Sequence, residues 1–134
     1  MLKKISLAIL VLLYVGAGVN HFIHPQFYTS IMPPYIPAPA LMVTLSGLAE
    51  LILGLLLIPL KTRQPAALLI AAMLVVFMTV HIFMLQQAYA VDNYRTSIGA
   101  ARFRLLLQPV LIVWVLWHAK EKSVILPLFI NKST

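Results

Sequence analysis

The chain has 134 residues, of which 62% are hydrophobic and 10% charged, and its mean hydropathy is +0.98. A water-soluble domain of this size has too little interior to hide so many apolar side chains, so lipid is the solvent the composition requires. The net charge of +7 does not point to nucleic acid, because the Lys and Arg residues sit at the ends of apolar runs, and the lack of cysteine excludes disulfides, thiolate metal sites and CxxC redox chemistry carried by this chain.

Lys3 and Lys4 precede a long apolar stretch, as in a signal peptide. No small-residue cleavage site follows, however, and the run continues through Gly16, Ala17 and Gly18 into Asn20 and His21. It is read as a first membrane span over residues 5–23. A helix crossing a hydrocarbon core of about 30 Å needs about 20 largely apolar residues. By that measure further spans are predicted over 41–60, 66–85 and 98–117, the last carrying Arg102 and Arg104 inside it.

Between the first two spans, His24 to Ala40 contains Pro25, Pro33, Pro34, Pro37 and Pro39 and cannot continue a helix. Phe27, Tyr28, Ile31 and Tyr35 make it too apolar for a solvated loop, so a lid lying on the bundle is expected. The predicted fold is all-α: one domain, residues 1–134, forming a transmembrane four-helix bundle with a proline-rich lid between helices 1 and 2. If the spans alternate, Lys3, Lys4, Lys61, Arg63, Lys120, Lys122 and Lys132 fall on one side, and only Arg95, Arg102 and Arg104 on the other. This bias places both termini in the cytoplasm. Trp114, Trp117 and His118 are then read as interface residues, Asp92 and Arg95 as an exposed loop, and Glu121 as a solvated tail residue.

An ionisable group inside a span costs from about 2.5 kcal/mol upward, which makes each one a functional hypothesis. Glu50 lies nine residues into the second span, about 14 Å deep at 1.5 Å per residue. Ser46, Gly47 and Gly54 share its face and allow a neighbouring helix to approach. Tyr14, Ala17, Gly18 and His21 form a similar stripe with Asn20 beside it. Phe77, His81 and Met84 align on the third span, and Arg104 and Gln108 on the fourth.

Counted from the span ends, Asn20, His21, His81 and Arg104 lie within about 10 Å of the outer surface. They are expected to converge with Glu50 and Gln108 beneath the lid. The simplest arrangement is a Glu50–Arg104 ion pair whose remaining lone pairs and protons are satisfied by Gln108, Asn20 and the two histidines. Such a cluster is either a ligand or proton site or a buried network that fixes helix register. The His21/His24 pair reads as interfacial, and no metal site is expected.

The segments GVNHFIHPQFYTSIMPPYIPAP, SGLAELILGLLL and RFRLLLQPVLIVWVLWHA resemble the DoxX family of small bacterial four-helix membrane proteins, a likeness running over about residues 5–120. Asn20, His21, Pro25, Pro33, Pro34, Glu50, Arg104 and Gln108 are its matching positions. The resemblance implies a bacterial inner-membrane protein of the kind that includes a subunit of a thiosulfate:quinone oxidoreductase. Related proteins of the methylamine-utilisation type carry cysteine pairs, which this chain lacks, so a disulfide relay is not expected.

Two functions follow. One is a membrane redox-complex subunit whose pocket binds a quinone headgroup at Glu50, His81 or Arg104, with electrons carried by a redox partner protein. The other is a non-catalytic scaffold or a binder of a small lipophilic molecule. Haem held by His21 and His81 is a less favoured third reading. Transport finds little support in a four-helix bundle without an inverted repeat.

Overall fold

The computed structural model of the protein describes residues 1–92, Tyr94 and residues 96–120. The expectations for Arg95, Glu121, Lys122, Lys132 and the tail from Ser123 to Thr134 fall outside the described residues. The described elements are α1 (Leu2–Ile23), α2 (Pro25–Ser30), α3 (Pro39–Leu56), α4 (Leu60–Ala90) and α5 (Ile98–Ala119). Among the described residues, α1, α3, α4 and α5 are long and apolar enough to cross a membrane. Large aliphatic side chains point outward, with Leu12, Val76 and Leu106 64–70% exposed, the surface of a protein solvated by lipid. The architecture is the expected all-α bundle of a multi-pass membrane protein.

The helix ends depart from the hydropathy boundaries for physical reasons. α4 has 31 residues, about 46 Å of helix, and so outruns a hydrocarbon core of about 30 Å. Hydropathy marks only the lipid-embedded part of such a helix. Leu60, expected to close the second span, instead opens α4, because Pro59 disfavours a helical Ile58 and α3 stops at Leu56. Arg63, read as a topology charge, is also a cap. Its Nε and Nη2 each donate over 2.8 Å to the carbonyls of Leu57 and Ile58, satisfying groups that the end of α3 leaves without helical partners.

The lid does not continue α1 and carries a short helix of its own, α2. Pro25 occupies the first position of α2, where its missing N–H costs no bond and its fixed φ suits a helix. The later prolines keep the chain irregular until Ala38, which takes the left-handed conformation (φ 47°) and turns the chain into α3. A non-glycine residue there costs about 1–2 kcal/mol. Buried Ile31 and Pro33 hold this segment against the bundle.

The four long helices form two closely packed antiparallel pairs, α1 with α3 and α4 with α5, while α3 and α4 touch more lightly. Glycine sets the first pair. A Cβ on Gly18 would lie 2.7 Å from the Gly47 carbonyl oxygen and 2.9 Å from the Leu51 nitrogen, and one on Gly47 would lie 2.6 Å from Cβ of His21. Farther along, a Cβ on Gly54 would stand 3.0 Å from that of Tyr14. Only glycine permits these backbones to meet, as the shared face of Gly47 and Gly54 suggests.

One core cluster, around Leu10, Ile70 and Val115, fills the end of the bundle where the chain begins. A smaller one, Ile31, Met84 and Ala101, lies at the lid end. At the first end a polar latch ties α1 to α5. Trp114 Nε1 donates to Ser6 Oγ over 2.8 Å, and that oxygen stands 3.1 Å from His118 Nε2. His118 is therefore a fully buried structural residue and not an interface residue. Lys3 lies over the Trp117 ring, 5.5 Å from its centroid.

Gly47→Ala is expected to lose about 1–3 kcal/mol of stability, the usual penalty for forcing atoms into a filled contact. Gly16→Ala, which meets nothing within 4 Å, should be neutral. Thermal unfolding of the two variants in detergent checks the difference.

Candidate functional site

Between the α1/α3 pair and the α4/α5 pair, roofed by α2, lies a cavity of about 720 Å³. All five described helices contribute to its wall. Much of the wall is apolar, with Leu74, Phe77, Leu107 and Leu111 among its residues. Glu50, His21, His81, Arg104 and Gln108 all line the same space. Five of the six residues singled out from sequence thus share one chamber. Asn20, the sixth, stands behind the wall and donates from Nδ2 to the Tyr28 hydroxyl over 2.7 Å, which holds the lid.

Glu50 is 5% exposed and faces His21, with 3.0 Å between Glu50 Oε2 and His21 Nδ1. The two atoms lie within ion-pair distance but outside hydrogen-bond geometry. The expected Glu50–Arg104 ion pair is not formed. Depth along the spans is right for it, but the glycine crossing carries His21 to Glu50, whereas α5 packs mainly on α4. The Arg104 guanidinium rests over the ring of Phe27, 5.1 Å from its centroid, as a cation–π contact with the lid.

The remaining contacts hold the walls in place. His81 Nδ1 lies 3.1 Å from Gln108 Nε2, linking α4 to α5. The His21 and Tyr28 rings lie 3.8 Å apart, centre to centre, tilted by 35°. Arg102 donates to the Tyr89 hydroxyl and lies over the same ring. His24 is exposed at the joint between α1 and α2, so the His21/His24 spacing does not create a shared site. Among the described residues no three His, Cys, Asp or Glu side chains gather to hold a metal ion.

Tyr14, Tyr28, Ser46 and Trp114 also line the cavity. None was chosen from sequence as a site residue, although Tyr14 and Ser46 lay on the stripes of His21 and Glu50. Aromatic side chains are common in spans and lids, and only the cavity separates these from packing residues. Tyr14 Oη, Glu50 Oε2 and Gln108 Oε1 are buried without a hydrogen-bond partner in the protein. Leaving such an atom unsatisfied costs about 1–3 kcal/mol, so the site is chemically disposed toward a polar group placed in the cavity.

A double-mutant cycle on His21→Ala and Glu50→Gln should show coupling above about 1 kcal/mol, because removing one partner strands the other in a buried setting. The same cycle on Glu50 and Arg104 should give less than about 0.5 kcal/mol, the limit for residues that share no contact. Equal coupling in the two cycles would contradict the pairing.

Comparison with known proteins adds a family but no activity. No curated protein and no solved structure matches the chain. A family model described as a domain of unknown function, DUF8561, matches residues 10–119. That stretch contains every residue lining the cavity, from Leu13 to Trp114. The chain belongs to the DUF8561 family.

Proposed function

We propose that the protein binds a small lipophilic molecule with a compact polar head in the cavity beneath α2. One observation carries this reading. A chamber of about 720 Å³ with largely apolar walls holds buried oxygen atoms on Tyr14, Glu50 and Gln108 that make no hydrogen bond within the protein. Ligand pockets occupy about 300–1,000 Å³ and combine apolar walls with a few placed polar groups. A network serving only helix register has no need of such space.

A quinone or quinol head suits the residues present. Arg104 and the imidazole of His81 supply donors for carbonyl oxygens, and Glu50 is an acceptor able to hold or pass a proton. The DoxX resemblance extends the proposal to a subunit of a bacterial inner-membrane redox complex, with a partner protein exchanging electrons. The same pocket serves the non-catalytic alternative, a binder or scaffold without turnover. Lys3, Lys4 and Lys61 lie at the latched end of the bundle, and their charge orients that end toward the cytoplasm.

The test is thermal unfolding in lipid nanodiscs with decyl-benzoquinone or decylhydroquinone. Either ligand at about one hundred times its Kd should stabilise the folded protein by about 2.7 kcal/mol. Glu50→Gln should weaken the stabilisation. Melting curves unmoved by both compounds would refute the reading.

A further inference from the structure

The cavity is not sealed from the bilayer. Leu13 on α1 and Phe103 and Val110 on α5 line it, yet they are 49%, 65% and 59% exposed. Each therefore faces both the chamber and the surrounding lipid. The cause is topological. α1 packs on α3 and α5 packs on α4, while the hydrogen bonds that join α1 to α5 lie at one end, through Ser6, Trp114 and His118. Beyond that latch, towards the lid, the two helices leave a side opening.

A second apolar feature lies beside the opening, on the side of the latch. Pro109, Val110, Val113, Trp114 and Trp117 line an apolar groove on the outer face of α5. Val110 and Trp114 border both groove and cavity, so the two lie side by side along α5. Apolar, lipid-facing side chains thus adjoin the chamber wall.

The innermost polar atoms specify the other end of the ligand. Glu50 Oε2 and Gln108 Oε1 can only accept hydrogen bonds while Glu50 is ionised, and neither has a hydrogen-bond partner in the protein. Tyr14 Oη and His21 Nδ1, also without one, can each donate or accept, and His21 Nδ1 already faces Glu50 Oε2 at 3.0 Å. Arg104, one turn nearer the lid than Gln108, is half-buried and brings donors for a further oxygen. The deep end is therefore richer in acceptors and calls for O–H donors.

We infer that the ligand is a long-chain amphiphile with a hydroxyl-bearing head, such as a quinol or phenol, seated with its head at Glu50 and Gln108 and its hydrocarbon tail leaving between α1 and α5 past Leu13 and Val110. It reaches the cavity sideways from the bilayer and not from water. The inference rests on the pocket reading above and adds the head chemistry and the path of the tail.

The experiment measures binding of decylhydroquinone and its dimethyl ether, which has no O–H donor, to the protein in nanodiscs. A bromine at the end of each tail reports contact by quenching tryptophan fluorescence. The expected result is saturable quenching by the hydroquinone, with affinity falling about tenfold, or 1.4 kcal/mol, on methylation and again in Val110→Phe. Val110 is lipid-exposed, so the larger ring narrows the opening without entering a packed core, and Leu13→Phe narrows it from the α1 side. Leu106→Phe, on a lipid-facing part of α5 away from the cavity wall, should leave affinity unchanged. Equal binding of the ether overturns the head assignment. Undiminished binding in both opening variants, or equal loss in Leu106→Phe, overturns the tail path. If the hydroquinone still binds in a Glu50-dependent manner, the pocket survives either result. If no probe binds saturably, pocket and inference fall together.

Discussion

The close crossing of α1 and α3 at Gly18 and Gly47 is the constraint from which the rest of the site follows. With no Cβ on either residue, the two backbones approach until His21 stands beside Glu50. A carboxylate at that depth in a membrane protein needs a partner, because hydrocarbon offers no water to solvate it. The imidazole supplies that partner from the neighbouring helix. Tyr28, packed on the other side of the imidazole, joins the pair to the lid.

This tight pairing also explains why the bundle has a chamber. Each long helix spends its best packing surface on one neighbour, α1 on α3 and α4 on α5, so the seam between the pairs is incompletely filled. Apolar clusters close the seam at both ends, and the Ser6–Trp114–His118 latch reinforces one of them. What remains is a space lined by side chains from every helix and covered by α2. The His81–Gln108 contact braces its far wall, and Arg104 leaves that wall to meet Phe27 of the lid.

The arrangement unites the properties of a ligand site in a membrane. In the proposed reading, apolar walls favour a lipid-soluble molecule, buried oxygens without hydrogen-bond partners hold its polar head, and a side opening admits it from the bilayer. The DUF8561 match spans every residue that lines the cavity and names no chemistry.

Sequence alone determined the solvent and the class of fold, because runs of about 20 apolar residues have only one economical use. It also picked out Glu50, His21, His81, Arg104 and Gln108, since ionisable and amide groups inside such runs are too costly to be incidental. Helix ends were less legible: transfer to lipid governs hydropathy, whereas the ends of α3 and α4 are governed by Pro59 and the Arg63 cap. The partner of Glu50 was decided only by tertiary structure. Spacing along a helix reports depth and face, but not which neighbouring helix supplies the group opposite, and here backbone approach at two glycines selected His21 over Arg104. The cavity, with Tyr14, Tyr28 and Trp114 in its wall, was likewise set by how the helices pair, a property of surfaces in contact and not of any single segment.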